Sequence, residues 1–166
     1  LQRDIDSLHT ELLSVSSMVE EMIDKATQAL ASRRYDLADE VVKSDEFVDQ
    51  HEVHVEEECL KMLALHQPVA VDLRRIATVM KVNNDMERIA DLAVSIAQRA
   101  QALARARSAV TTWEHHVHDM EMLRMGHLTP AQATAAWRKN WKTGERQLRA
   151  YDTAAAKAKR IPCSLD

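Results

Sequence analysis

The sequence predicts an all-α fold: an antiparallel up-down three-helix bundle followed by C-terminal helices. Turn formers are scarce, since 166 residues include only 2 glycines and 3 prolines. The composition, 46% hydrophobic and 29% charged, suits long amphipathic helices. Apolar residues also recur at alternating steps of three and four, which is the period of one helix face.

The first helix is predicted over about residues 4–32. Its apolar stripe consists of Ile5, Leu8, Leu12, Val15, Val19, Met22, Ala26 and Ala29. Only residues 33–36 separate this helix from the next helical pattern. Because a connection that short leaves little room for a crossover, the first two helices should pack as antiparallel neighbours.

The second helix is predicted to end at His66, because a residue before proline disfavours the helical conformation and Pro68 follows. The third then runs from about Leu73 to about Arg107. Polar residues interrupt the apolar stripes of both helices, and these are Asp45, Glu52, Asn83 and Glu87. Isolated buried charge is costly, so these positions need compensating partners.

The chain changes character after Arg107. We expect a helix over residues 113–125, ended by Gly126. Thr129, Pro130 and Gln132 then form a capping-box start for a last helix, which Pro162 ends. Gly144 lies on the stripe of that helix and predicts a close contact between helices. The predicted domains are a bundle of residues 1–107 and a basic helical region of residues 108–166.

Charge is distributed unevenly along the chain. Residues 1–103 hold 11 Lys and Arg against 20 Asp and Glu, a net charge of −9, whereas residues 104–166 hold 11 against 6, a net charge of +5. The two parts therefore attract one another or serve different partners. The two cysteines, Cys59 and Cys163, are expected to be plain thiols in a reducing compartment.

Two acid motifs stand out, Asp45 with Asp49 and Glu87 with Asp91. Residues four apart leave a helix on the same face, one turn apart. Asp45 and Asp91 are equally far from Pro68 in sequence, and so are Asp49 and Glu87. If the chain reverses at Pro68, the four carboxylates meet at one level of the bundle.

Two interpretations of this acid cluster stay open from the residues alone. One is a metal site, for which four carboxylates provide hard oxygen ligands suited to Mg, Ca, Mn or iron. The other is a set of salt bridges to Arg88 or Lys43, on a solvated helix face. A ferritin-like oxygen site would need Glu-x-x-His pairs, and the chain has none.

Other candidates are weaker. His115, His116, His118 and Asp119 form a polar cluster with ligand spacing but no second pair nearby. Trp137, Trp141 and Tyr151 alternate with basic residues, which is compatible either with stacking on nucleic acid or with an amphipathic helix that buries its aromatic rings. The second interpretation is favoured, so no nucleic-acid partner is expected.

Motifs of enzymes are missing from the sequence. The chain lacks a phosphate-binding GxxxxGK loop, a GxGxxG loop, a GxSxG elbow and a Cys/His nucleophile arrangement. We therefore expect no catalytic residues and no enzymatic activity. No apolar run is long enough to span a bilayer and no signal-peptide pattern opens the chain, so a cytoplasmic protein that is not membrane-inserted is expected.

The segment Gln67-Pro68-Val69-Ala70-Val71-Asp72-Leu73-Arg74, followed by Glu87-Arg88-Ile89-Ala90-Asp91 and preceded by Asp45 and Asp49, resembles one repeat of the PhoU family. The family pattern is QP-x-A-x-DLR and then ERIGD. Ala90 stands where the family usually has glycine, which keeps a small residue at that position. The resemblance covers about residues 4–105.

The resemblance implies a three-helix repeat whose acid motifs hold metal in some relatives. Carried over to this chain, the metal ligands would be Asp45, Asp49, Glu87 and Asp91, and the ion would be iron, manganese or magnesium. It further implies a regulator of phosphate uptake, without catalysis of its own, that signals between a phosphate transporter component and a sensor histidine kinase. Such a protein would be cytoplasmic, or peripheral at the inner membrane through the transporter.

The sequence departs from the family in one respect. PhoU proteins usually carry two repeats, whereas residues 108–166 lack a second ERIGD motif and are too few for three full helices. Either the single repeat pairs with a second copy, which predicts a homodimer, or the basic region packs on it. The alternative to a phosphate regulator is a structural helical interaction module without a metal or phosphate role.

Overall fold

The computed structural model describes residues 2–159, and these fold into four helices. Their bounds are α1 Gln2–Ala31, α2 Tyr35–His66, α3 Ala70–Arg124 and α4 Pro130–Lys159. The all-α prediction is confirmed, because no strand occurs within that part of the chain. None of the described helices is long and apolar enough to cross a bilayer.

The first two helices form the predicted antiparallel pair. The link between them is short and contains Arg33, whose backbone adopts a left-handed conformation with φ of 58°. Seven of the eight predicted stripe positions of α1 are buried, and Leu12 packs against the core while partly buried. Periodicity alone therefore identified the face that α1 buries. A salt bridge between Lys25 of α1 and Glu40 of α2, at 2.9 Å, also joins the two helices.

The core at one end of this bundle joins α1, α2 and the beginning of α3. Its buried residues are Ile5, Leu8, Val55, Cys59, Met62, Ile76 and Val79. Burial raises the pKa of the Cys59 thiol to about 11, so Cys59 stays a protonated thiol at neutral pH. Cys163 lies outside the described residues.

The α2–α3 connection is short and backbone-strained. Gln67 and Ala70 both have positive φ, at 43° and 47°, although neither is glycine. Gln67 is the C-cap of α2, and the amide of Asp72 donates to the carbonyl of Val69 at 3.3 Å. The chain thus reverses around Pro68, as the sequence predicted.

The predicted end of the third helix near Arg107 is wrong, as is a separate helix beginning at Trp113. One helix, α3, continues to Arg124. Its whole length contains neither glycine nor proline, and the change in composition after Arg107 does not break a helix. The hydroxyls of Thr111 and Thr112 donate back to the carbonyls of Arg107 and Ser108 within the helix, at 3.1 and 3.2 Å.

The described residues pack as two compact units, residues 2–97 and residues 98–159, which divide inside α3. The predicted domains, residues 1–107 and 108–166, follow a change in sequence character, and those bounds stay a prediction.

The beginning of α4 matches its prediction closely. Gly126, with φ of 79°, follows the end of α3. The Thr129 amide donates to Gln132 Oε1 at 2.9 Å and the Gln132 amide donates to Thr129 Oγ1 at 3.3 Å, which is a capping box. Pro162, the expected end of the helix, lies outside the described residues.

Gly144 marks the predicted close contact between helices. It is buried, and a Cβ atom built on it would lie 3.6 Å from Thr112 Cγ2 and 3.8 Å from the indole ring of Trp113. The helix is unbroken at this position.

Candidate functional site

The four predicted acid residues lie on two helices of the first unit. Asp45 and Asp49 are one turn apart on α2, and Glu87 and Asp91 are one turn apart on α3. The first member of each pair is half-buried and the second is exposed. This difference follows from the stripes, since Asp45 and Glu87 occupy positions where an apolar residue would face the core.

The structure brings the two pairs within electrostatic range of one another. Burial, followed by the charges of Asp49 and Asp91, raises the pKa of Asp45 to about 6. Burial also raises the pKa of Glu87, with smaller effects of Asp91, Glu52, Asp49 and Asp45 in that order. Charges on one helix therefore act on carboxyls of the other, as the spacing about Pro68 predicted.

Glu52 is the member that the sequence prediction left out of the cluster. It lies two turns beyond Asp45 on the same stripe of α2 and contributes to the raised pKa of Glu87. The signal was available, because Glu52 is one of the polar interruptions of the α2 stripe.

The predicted salt bridges to Arg88 or Lys43 do not form. Within residues 2–159, no basic side chain lies within 4.0 Å of a carboxylate oxygen of Asp45, Asp49, Glu87 or Asp91. Like charges close together raise one another's pKa unless a cation neutralises them. The cluster is therefore an excess of negative charge that the described chain does not compensate.

Asn83 ties the two helices together next to the cluster. It is 2% exposed, and its Nδ2 donates to the backbone carbonyl of Glu52 at 2.9 Å. Its Oδ1 is buried and accepts no hydrogen bond from the described residues. A buried acceptor without a partner costs roughly 1–3 kcal/mol, which offsets what the hydrogen bond of Nδ2 contributes to stability.

The chemistry of the cluster fits a hard cation. Carboxylate oxygens suit Mg, Mn, Ca and iron, and a cation would offset the mutual repulsion of the acids. As the side chains stand, no three His, Cys, Asp or Glu residues among residues 2–159 converge on one metal position. The ligand set Asp45, Asp49, Glu87 and Asp91 stays a prediction.

The histidine cluster of the second unit does not gather into one site. His115 and His118 are exposed, and Asp119 accepts a hydrogen bond from Asn140 at 2.8 Å. His116 instead contacts two indole rings, those of Trp113 and Trp137.

The aromatic residues of the second unit are only partly buried. Trp113 of α3 is 42% exposed and Trp141 of α4 is 59% exposed. The favoured interpretation, an amphipathic helix that buries its aromatic rings, concerned Trp137, Trp141 and Tyr151. Trp137 and Tyr151 are half-buried, whereas Trp141 is exposed, so the interpretation describes Trp141 incompletely.

Comparison with known proteins places the first unit in a family. A family model described as the PhoU domain matches residues 12–100, more than half of the chain. That range contains all four predicted acid residues.

Three curated relatives illustrate the similarity, and each is named a phosphate-specific transport system accessory protein PhoU or its homolog. The protein of Aquifex aeolicus is 41% identical over 104 residues, which are 63% of this chain and 47% of the relative. The protein of Deinococcus radiodurans is 40% identical over 106 residues, which are 64% of this chain and 50% of the relative. The protein of Escherichia coli is 33% identical over 97 residues, which are 58% of this chain and 40% of the relative. The matches thus span about half the length of these relatives or less.

Proposed function

Because the chain belongs to the PhoU family, we propose that it is an accessory regulator of phosphate uptake. The observation that carries this proposal is the family match over residues 12–100, together with relatives whose names place them in phosphate-specific transport. Since the matches span about half of those relatives or less, the role is a proposal for this chain rather than a transfer of the whole protein's activity.

In the proposed mechanism the chain is an adaptor without catalysis of its own. It would contact a phosphate transporter component and a sensor histidine kinase, from the cytoplasm or from the periphery of the inner membrane. The support is the family resemblance alone.

We further propose that the acid cluster binds a cation, either iron, manganese or magnesium. Asp45, Asp49, Glu87 and Asp91 would hold it, and the ion would supply the positive charge that the described chain lacks at this place. The support is the raised pKa of Asp45 and Glu87 and the missing basic partners. Rotamer changes would have to bring the carboxylates together, because they do not converge as they stand.

Two copies of the chain are proposed to associate. The support is the family resemblance, because residues 1–107 carry one repeat where PhoU proteins usually carry two. Val53 and Leu60, which are exposed and seven residues apart on one face of α2, are candidate contacts. Sedimentation analysis should then give a mass of two chains, and a monomer at all accessible concentrations would contradict the association.

The regulatory role can be tested in a bacterium that lacks its own PhoU-family accessory protein and carries a phosphate-starvation reporter. Expression of this chain should lower reporter output in phosphate-rich medium and leave the response to starvation intact. Unchanged reporter output, with the chain present at a normal level, would overturn the role.

Metal binding has a separate test with a matched control. The double variant Asp49→Ala and Glu87→Ala removes one acid from each helix, whereas Glu20→Ala and Asp24→Ala removes an acid pair of the same spacing from the exposed face of α1. Elemental analysis should find metal in the wild type and in the α1 variant, and little in the cluster variant. Equal metal content in all three proteins would exclude the site, and thermal melting that is insensitive to chelators would favour a purely structural module.

A further inference from the structure

All three tryptophans of the chain lie in one cluster of the second unit. Trp113 and Trp141 meet edge to face, with ring centroids 5.7 Å apart. His116 connects this pair to Trp137. The centroid of its ring lies 5.6 Å from that of Trp113 and 5.3 Å from that of Trp137. The cluster thus contributes ring contacts between α3 and α4.

An open groove lies along this cluster. It has a volume of about 630 Å³ and is lined by His116, Trp137, Arg138, Lys139, Trp141 and Lys142. Grooves of this size accommodate small organic ligands, and an apolar lining with a few polar groups is typical of such sites. The exposed ring of Trp141 offers a surface on which a planar ligand can stack.

The charges around the groove favour an anion. α4 carries seven Lys and Arg residues and two acids. One of those acids, Glu145, already binds Arg149 at 2.6 Å. Arg138, Lys139 and Lys142 have no acidic partner within 4.0 Å in the described part of the chain. Three uncompensated cations beside aromatic rings suit phosphate oxygens.

Two nitrogen atoms of the groove lining lack hydrogen-bond partners. They are Nδ1 of His116 and Nε1 of Trp137, and both are enclosed without a partner among the described residues. An enclosed polar atom without a partner costs about 1–3 kcal/mol, and water or a polar ligand removes that cost.

We propose that this groove binds a nucleoside phosphate. The base stacks on the exposed indole of Trp141, and the phosphates contact Arg138, Lys139 and Lys142. A volume of about 630 Å³ suits a ligand of the size of one nucleotide. This proposal concerns the second unit and does not rest on the role in phosphate uptake.

ATP is the probe for the test, and tryptophan fluorescence is the readout. Because every tryptophan of the chain belongs to this cluster, a ligand in the groove changes the whole indole signal. ATP should quench the fluorescence in a saturable manner, and the quenching should be independent of protein concentration. Adenosine and inorganic phosphate should each bind more weakly than ATP, because each supplies only half of the contacts.

Two charge-matched variants separate the groove from general attraction of anions by α4. Arg138→Gln with Lys142→Gln removes two groove cations, and should weaken ATP binding at least ~10-fold. Arg146→Gln with Lys157→Gln removes two exposed charges of the same helix outside the groove lining, and should weaken it less than ~3-fold. Circular dichroism should show the same helix content in both variants.

Several results would overturn the proposal. They are quenching that never saturates, an equal loss in the two variants, binding of inorganic phosphate as tight as that of ATP, and displacement of ATP by a short oligothymidine at far lower concentration. The last result would identify a nucleic-acid strand as the ligand. A fluorescence change that depends on protein concentration without ATP would show instead that a second copy covers the groove.

Discussion

Residues 1–97 and residues 98–159 are both built of long amphipathic helices, yet they bury different side chains. The first region buries large aliphatic residues of three helices, including Ile5, Leu8 and Ile76. In the described part of the second region the buried hydrophobic residues are all alanines, namely Ala100, Ala102, Ala109, Ala133, Ala154 and Ala158. Several of its larger apolar side chains, such as Trp141 and Leu148, remain about half-exposed.

This difference assigns most of the stability to the first region and ligand binding to the second. Burial of one methyl or methylene group contributes about 0.8 kcal/mol, whereas a fully buried Val, Leu or Ile contributes about 1.5–3 kcal/mol. The first region therefore provides most of the hydrophobic stabilisation, and the PhoU domain match over residues 12–100 nearly coincides with it. The second region keeps its aromatic and basic side chains available to a ligand.

The largest expected effect is on the free energy of unfolding. Ile76 is 0% exposed, so Ile76→Ala should destabilise the chain by about 3 kcal/mol through lost burial and a residual cavity. Leu148 is 48% exposed, so Leu148→Ala in the second region should cost less than about 1 kcal/mol. Urea unfolding followed by circular dichroism measures both. Similar losses in the two variants would show that the two regions contribute equally to stability.

A smaller effect concerns the pH dependence of stability in the first region. The pKa of Asp45 is about 6 in the folded chain, above its ordinary value of 3.8. A carboxyl whose pKa is raised by folding destabilises the folded state when it is ionised. That cost is present above pH 6 and disappears as the pH falls toward 4.

Asp45→Asn should accordingly stabilise the metal-free protein at neutral pH, by about 1 kcal/mol once solvent screening of this half-buried group is considered. The gain should vanish near pH 4. Asp24→Asn, which removes an exposed carboxylate of α1, is the control and should change stability little. Melting temperatures measured in chelator between pH 4 and pH 7 test this prediction. Equal changes of melting temperature in the two variants at neutral pH would contradict it.

The smallest expected effect concerns the stability contributed by Gly144 in the second region. Gly144 is helical, and an added Cβ would meet Thr112 and Trp113 at ordinary contact distances of 3.6 and 3.8 Å. Gly144→Ala should therefore stabilise α4 by up to about 1 kcal/mol, because alanine loses less backbone entropy than glycine. A lower melting temperature would mean that α3 and α4 approach each other more closely than these distances indicate.

Features that depend on neighbours in sequence could be predicted. The stripe of α1, the reversal at Pro68 and the capping box of Thr129 and Gln132 each follow from local periodicity or backbone chemistry. The acid cluster could also be anticipated, since antiparallel helices joined by a short turn bring residues equidistant from that turn to the same level. Glu52 could have been included because it is a polar interruption of the same α2 stripe as Asp45.

Other features were beyond the sequence. The length of α3 was missed because a change in composition after Arg107 resembles a boundary although nothing there breaks a helix. Whether the four carboxylates converge on one ion depends on side-chain rotamers, which spacing does not determine. The exposure of Trp141 could not be predicted either, because a stripe indicates which face is apolar but not whether another element covers it.

Amide hydrogen exchange, resolved by residue in the metal-free protein, tests most directly whether stability resides in residues 1–97. Amides in the middle of α1 and α2 should exchange only through global unfolding, while amides in the middle of α4 should exchange at least ~10-fold faster, because alanine packing holds that helix less firmly. Protection of α4 equal to or greater than that of α1 would contradict the account.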